Sequence, residues 1–168
     1  MLARPVACGF AAADEDADGY MVRGPHVHLP QHVHKLDTRG MERQLVPAVS
    51  PFAEAAGYSR VVRVGQHVFV AGTAPIMPED ADPPPNAFGQ TERCLAIALE
   101  AMAQVGARAE DVVRTRIMLT RAEDFPEIAR AHGAVFKDVR PVNTSYVVAE
   151  LLDPRWLLEI ELEAVIAR

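Results

Sequence analysis

The chain is poor in cysteine, with only Cys8 and Cys94 among its 168 residues. Two cysteines do not make a disulfide framework, so we expect both to be reduced thiols in a cytoplasmic protein. The chain also lacks an apolar run approaching the roughly 20 residues that cross a bilayer. Its first residues do not resemble a secretory signal. We therefore expect neither a membrane protein nor a disulfide-stabilised secreted one.

An excess of basic residues is absent as well. The formal net charge is −6 at pH 7, and the pI is about 5.5. Binding to nucleic acid generally requires clustered Lys and Arg that neutralise phosphates, so we expect no nucleic-acid partner. Apolar residues make up 49% of the chain and charged residues 24%. The proportion of apolar to charged residues and the length of the chain are typical of one globular domain with its own core.

Residues 1–40 show no sustained period of 2 or 3.6, and glycine and proline recur through them. We interpret them as a poorly ordered or loosely attached extension of a domain that covers residues 41–168. The extension holds four of the six histidines, in the segment PHVHLPQHVH. Its H-x-H pairs have the spacing to chelate a transition metal. The alternatives are an accidentally His-rich tail and a translation start at Met41. No Cys or carboxylate lies at ligand spacing beside these histidines, so we assign no metal site.

The regular part of the chain predicts the element order ββαβαββ. Apolar residues recur at the strand and helix periods over strands 59–64, 67–72, 111–120, 143–150 and 157–167 and helices 88–105 and 124–136. Strands interrupted by helices imply an α+β fold, with a mixed sheet and two helices on one of its faces. The other face of the sheet is then left without a helix.

The last strand shows what occupies that second face. Residues 158–163 read LEIELE, so apolar side chains point one way and three glutamates the other. Arg116, Met118, Tyr146 and Val148 are assigned to the same side as the glutamates. A surface that mixes aromatic, aliphatic and charged groups is typical of an interface, although a solvated face is the alternative. We predict that it packs against other subunits, with Arg116 paired to one glutamate.

Six segments, in order and at matching spacing, resemble the Rid/YjgF family: GYSR at 57–60, VFVAGTAP at 68–75, QTERCL at 90–95, DVVRTRI at 111–117, RPVNTS at 140–145 and EIELEA at 159–164. The resemblance implies a chorismate-mutase-like fold and a homotrimer whose sheets face a central barrel. It also implies three small-molecule clefts, one between each pair of neighbouring subunits. We expect no cofactor.

In active members of this family, an arginine binds the carboxylate of a 2-imino acid, a glutamate positions the attacking water, and a tyrosine helps to close the pocket. By this resemblance, Glu161 matches the glutamate and Tyr58 the tyrosine. The position of the arginine falls on Asn143, which can form hydrogen bonds but carries no charge. The chain therefore resembles the arginine-lacking branches of the family, for which a 2-imino acid is not the expected substrate.

The other candidates for substrate binding are Thr144, Ser145, Gly72, Arg60 and Arg116. Gly72 is interpreted as part of a tight backbone turn at the cleft wall, where a side chain would not fit. The two arginines are candidate substitutes for the missing charge. Purely structural alternatives exist throughout: a turn cap for the asparagine, an interface aromatic for the tyrosine, and polar strand positions for Thr144 and Ser145. For the catalytic glutamate, the alternative is a slip of two positions along its strand.

Three functions follow from these candidates. The first is hydrolysis of an imine or enamine that is less anionic than a 2-imino acid, with Glu161 orienting water. The second is a trimer that binds a small molecule without chemistry. The third, a ribonuclease or translation inhibitor, is disfavoured by the acidic charge and by the lack of a His–acid pair. The sequence alone leaves open whether the protein is an enzyme.

Overall fold

The structure, a computed structural model, describes residues 42–50 and 53–167. These residues form six strands and three α-helices: β1 (Arg43–Pro47), α1 (Ala53–Ala56), β2 (Ser59–Val64), β3 (His67–Thr73), α2 (Ala87–Ala103), β4 (Val112–Leu119), α3 (Phe125–Phe136), β5 (Val142–Val147) and β6 (Leu158–Val165). No helix in this part of the chain is long and apolar enough to cross a membrane. The predicted extension and its histidines lie outside the described residues.

All six strands join one mixed sheet in the order β1-β2-β3-β6-β4-β5. β4 and β5 are parallel and are connected through α3, whereas every other neighbouring pair is antiparallel. The predicted α+β fold with a mixed sheet is confirmed. The strand β1 was not predicted, because the five residues RQLVP give too short an alternation. It pairs with β2 and forms one edge of the sheet.

The core lies between the sheet and the two long helices, as predicted. α2 contacts α3, β3 and β6, and it buries Cys94, Ala98, Ala101 and Met102 at helical spacing. Gly106 ends this segment with φ 82°, the left-handed conformation that glycine adopts most easily. Cys94 is a free thiol with 0% exposure. Burial raises the pKa of this thiol, so it remains protonated within the core.

No helix of the described chain covers the opposite side of the sheet. There the strand register aligns side chains in three rows: Phe69–Glu163–Arg114, Glu161–Arg116–Thr144, and Glu159–Met118–Tyr146. We call these residues the uncovered face. Phe69 is 46% exposed and Tyr146 is 49% exposed. The predicted alternation of β6 is confirmed, because its leucine and isoleucine side chains are buried while its glutamates are half-buried.

Candidate functional site

The middle of the uncovered face is held by a charged cluster on β4 and β6. Arg116 lies 3.1 Å from Glu161 (Nη1 to Oε2) and 2.7 Å from Glu163 (Nη2 to Oε1). Arg114 extends the cluster at 3.5 Å from Glu163. The hydrogen bonds to Glu161 and then Glu163 raise the pKa of Arg116. The prediction that Arg116 pairs with a glutamate is confirmed, and this guanidinium has no spare fork for a substrate carboxylate.

The ion pair with Arg116 orients the carboxylate of Glu161 but uses only one of its two oxygens. Its Oε2 accepts the hydrogen bond from Arg116, whereas its Oε1 has no hydrogen-bond partner within the described residues. A carboxylate with one oxygen fixed and one free can accept a proton or hold a water molecule. Glu161 is half-buried on β6, so part of its side chain remains open to solvent.

Glu159, in the next row, makes no ion pair in the described chain. Burial raises the pKa of this carboxyl, the charge of Arg60 lowers it, and the charge of Glu161 raises it again. Its side chain occupies the space over Gly72, where an added Cβ would come within 2.8 Å of the Glu159 Oε2 atom. Gly72 lies within β3 rather than in the predicted tight turn, and the atom that restricts a side chain there belongs to the Glu159 carboxylate. Glu159 also borders a depression formed with Thr120, Trp156 and residues 149–154.

Asn143 lies on the other side of the sheet from Glu161. Its register partner on β4 is Thr115, on the helix-covered face, and its Nδ2 donates a 2.9 Å hydrogen bond to the Thr115 Oγ1 atom. Its Oδ1 accepts a 3.2 Å hydrogen bond from Ser145 Oγ. The amide expected at the arginine position is thus engaged within its own subunit. The structure does not bring Asn143 and Glu161 together in one chain.

The same network reaches α3 through a histidine. The Thr115 Oγ1 atom lies 3.0 Å from His132 Nε2. Burial lowers the pKa of His132, which favours the neutral ring. A neutral ring with Nδ1 protonated accepts the Thr115 hydroxyl proton, while the hydroxyl oxygen accepts from Asn143. We call Ser145, Asn143, Thr115 and His132 the polar chain.

The polar chain was not predicted from the sequence. A signal existed: Thr115 interrupts the apolar positions of β4 and is 0% exposed. A fully buried hydroxyl must find hydrogen-bond partners. Nothing in the spacing named His132, because the partner comes from a helix that crosses over the strand. Within the described residues no group of His, Cys, Asp and Glu side chains is arranged to hold a metal ion.

Tyr58 and Thr144 are both exposed. Tyr58 precedes β2 and is 42% exposed, and three strands separate β2 from the β5 strand that carries Asn143. Thr144 shares a row with Arg116 and Glu161 and therefore belongs to the uncovered face. Within one chain the candidate residues form separate groups rather than a single pocket.

Arg60 lies away from the charged cluster. It is 9% exposed and donates from Nη1 to the Gly72 carbonyl oxygen at 2.7 Å and to Thr73 Oγ1 at 3.1 Å. Burial lowers the pKa of this guanidinium, partly opposed by Tyr58 and Glu159. Its side chain has no hydrogen bond to Glu161 or Asn143, so within one chain Arg60 does not take the place of the missing arginine.

Comparison with known proteins identifies the relatives of this fold. The sequence model of the family described as Endoribonuclease L-PSP matches residues 49–166. An uncharacterised protein of Streptomyces coelicolor is 37% identical over 119 residues, which cover 71% of this chain and 89% of the relative. The chloroplastic Reactive Intermediate Deaminase A of Arabidopsis thaliana is 27% identical over 112 residues, or 66% of this chain and 60% of that protein.

A solved structure agrees with this assignment. A Mycobacterium tuberculosis protein, described as a member of the YjgF/YER057c/UK114 family, superposes with a TM-score of 0.67 at 37% sequence identity. The match covers 74% of this chain and 99% of the other. Nearly the whole of that protein therefore corresponds to the domain described here.

Proposed function

This chain belongs to the endoribonuclease L-PSP family, which includes the YjgF proteins, and from that premise we propose a function for it. It is a RidA-like homotrimer with small-molecule clefts at its subunit interfaces, and it hydrolyses an imine or enamine other than the usual 2-imino acids. One observation carries the proposal. Within one chain, Arg116 holds Glu161 with one oxygen free, and Glu161 lies apart from Asn143, whose amide already forms hydrogen bonds within its own subunit.

The uncovered face supports self-association. Phe69 and Tyr146 are large, half-exposed rings beside paired charges, and Val142 on the edge strand β5 is 60% exposed on the same face. Apolar groups interspersed with satisfied charges are the composition of a subunit interface. Tyr58 and Asn143 lie far apart in the strand order, so a cleft containing both would need two copies of the chain.

Glu161 would act as the general base in this cleft. Its free Oε1 accepts a proton from a water molecule as the water oxygen attacks the imine carbon, and the C=N electron pair moves to nitrogen. The proton then passes from Glu161 to that nitrogen, which completes the carbinolamine. The carbinolamine collapses when Glu161 takes its hydroxyl proton and delivers it to the nitrogen, which leaves as ammonia or an amine while the C–O bond becomes the carbonyl. Arg116 keeps the carboxylate in place during both steps.

The engaged Asn143 argues against an anionic substrate. A neutral amide offers no charge to a carboxylate, and losing a charge-assisted bond costs about 2–3 kcal/mol of binding. The carboxylates of Glu159, Glu161 and Glu163 would also repel an anion, since only Arg114 and Arg116 oppose them on this face. A neutral imine avoids both penalties.

The test compares anionic and neutral imines. 2-Iminopropanoate and 2-iminobutanoate are generated in situ, in parallel with an uncharged ketimine, and their loss is followed with and without protein. We expect acceleration for the uncharged imine alone, abolished in Glu161→Gln. Asn143→Arg should add activity on the 2-imino acids, and Asn143→Gln is the matched control that keeps the amide. A wild-type protein inactive on every imine would contradict the proposal.

A binding trimer without chemistry is the alternative, and the Arg116–Glu161 ion pair favours it because the pair ties up one carboxylate oxygen. Retention of a ligand by the purified protein, unaltered and unaffected by Glu161→Gln, would support this alternative. The ribonuclease hypothesis has less behind it: the chain is acidic, and only cleavage of RNA at low salt that Glu161→Gln abolishes would revive it.

A further inference from the structure

A second cavity lies on the helix-covered side of the sheet. It is a groove of about 420 Å³ between α2, β1 and residues 76–79, and it contains none of Tyr58, Asn143 and Glu161. Its walls are mainly apolar and include Val46, Ile76, Met77, Ile97 and Ala101. Small-molecule sites usually enclose roughly 300–1,000 Å³ with apolar walls and a few polar groups. The groove therefore has the size and lining of a ligand site.

Arg60 is the polar group at this groove, and a β-bulge places it there. Val46 pairs with Val61 and Pro47 pairs with Ser59, so Arg60 is the extra residue without a partner on β1. A bulge of this kind re-aims a side chain, and Arg60 and Val61 are both buried as a result. Arg60 accordingly lines a groove whose other wall is α2.

The guanidinium of Arg60 is buried, and the charge of Glu159 acts on it without forming a salt bridge. No carboxylate of the described residues forms a salt bridge with it, and its two acceptors, the Gly72 carbonyl and the Thr73 hydroxyl, are neutral. A buried charge is costly unless it is paired. Arg60 thus has no hydrogen-bonded carboxylate within the described residues, and one supplied from outside would complete an ion pair.

The free atoms of Arg60 also have the geometry for one particular partner. Both hydrogen bonds use Nη1, which leaves Nε and Nη2 without a partner in the described residues. Because no side-chain nitrogen or oxygen there is both fully buried and unpartnered, each of these two atoms keeps some contact with solvent. Nε and Nη2 form one planar edge of the guanidinium, and that edge matches the two oxygens of a carboxylate.

The remaining charges of the groove are arranged by depth. Arg93 holds the wall through a 2.8 Å hydrogen bond from Nε to the Ile76 carbonyl. Glu79 and Glu100 also line the groove, but both are exposed, so water and salt screen them. The buried cation therefore decides which charge the groove accepts.

We propose that this groove binds a small monocarboxylate with an aliphatic tail, its carboxylate on the Nε and Nη2 atoms of Arg60 and its tail along Ile76, Ile97 and Ala101. The site is separate from the cleft of the proposed function and stands whether or not Glu161 is catalytic. Its ligand carries the anionic group that the other site lacks the means to bind.

Octanoate and 1-octanol are the probes, since they share a tail and differ in charge. Titration of the full chain by calorimetry, with methyl NMR of Ile76 and Ile97, reports affinity and location. We expect octanoate to shift both methyl signals and to bind at least roughly tenfold more tightly than octanol. Glu161→Gln should leave octanoate binding unchanged, which distinguishes this site from the cleft.

Two variants test the two halves of the site. Arg60→Gln should weaken octanoate roughly tenfold and make the two probes equal. Ile97→Trp should block both probes by filling the groove, and it tests the site even if Arg60→Gln fails to fold. Equal binding of octanoate and octanol to the wild type would overturn the proposal. So would methyl shifts confined to Met118 on the uncovered face, or an absence of binding at millimolar octanoate.

Discussion

Thr115 and Arg116 are neighbours in β4, yet they belong to two polar regions of opposite character. The polar chain around Thr115 is neutral, lies under α3 and satisfies a fully buried hydroxyl. The cluster around Arg116 is charged and half-exposed, and it faces away from the helices. The difference separates two tasks: a neutral network anchored on a buried hydroxyl fixes the subunit, whereas a half-buried charged network that faces away from the helices is available to a partner or ligand.

The largest effect on the stability of the subunit should come from Thr115→Val. This change keeps the shape but removes the hydroxyl that joins Asn143 to His132, and it leaves the partly buried imidazole without its donor. We expect a loss of about 1–3 kcal/mol in the free energy of unfolding, measured by urea denaturation. Thr115→Ser restores the hydroxyl and should recover most of the loss. A variant as stable as the wild type would remove the distinction between the two regions.

Arg116→Ala should instead act on assembly. It leaves three glutamates on the uncovered face opposed by Arg114 alone, and their mutual repulsion would sit inside the interface. Association should weaken roughly tenfold or more, seen as dissociation at low concentration in analytical ultracentrifugation. Arg116→Lys keeps the charge and should retain more of the assembly. An unchanged assembly mass for Arg116→Ala would show that this face is not an interface.

The stability of the folded chain should depend on pH through the titration of His132, which belongs to the polar chain. Burial lowers the pKa of its ring in the folded state, so the unfolded chain binds a proton first as the pH falls. The contribution of the neutral ring is complete above the unfolded pKa of about 6.5 and is lost as the pH falls through the lower folded pKa. His132→Gln should reduce the change of the unfolding midpoint with pH, measured between pH 7 and pH 5. A slope equal to that of the wild type would assign the dependence to other groups.

The smallest effect should come from Gly72→Ala, at the edge of the charged region. The new Cβ would displace the Glu159 carboxylate, and the end of that side chain is free to rotate away. We expect a change below about 1 kcal/mol in the free energy of unfolding, because surface positions with flexible neighbours tolerate such changes. Glu159→Ala combined with Gly72→Ala should remove even that cost. A larger loss would mean that the glycine meets a rigid neighbour.

The sequence predicts best where a pattern repeats. The alternation in β6 gave its buried and exposed sides correctly, and the helical spacing from Cys94 to Met102 gave the inner side of α2. The alternation in β6 also predicted the pairing of Arg116 with a glutamate, because charged side chains on the same partly buried face need partners.

The sequence predicts poorly where a single contact decides. The network of Asn143 depends on α3 lying over Thr115, and the position of Arg60 depends on one extra residue in the pairing of β1 with β2. A bulge leaves no signature in the period of the strand, so the sequence could not predict that Arg60 is buried. The assembly, the identity of the ligand, the cytoplasmic location and the absence of a cofactor remain predictions.

The buried thiol of Cys94 has a consequence for measuring motion in this protein. A thiol reacts with an alkylating reagent only as the exposed thiolate, and Cys94 is neither exposed nor readily ionised in the native subunit. Its labelling rate, followed by peptide mass spectrometry to separate it from that of Cys8, therefore reports how often α2 lifts from the sheet. A ligand that fills the groove beside Ile97 would slow the alkylation of Cys94, whereas a ligand that binds over Glu161 would leave its rate unchanged.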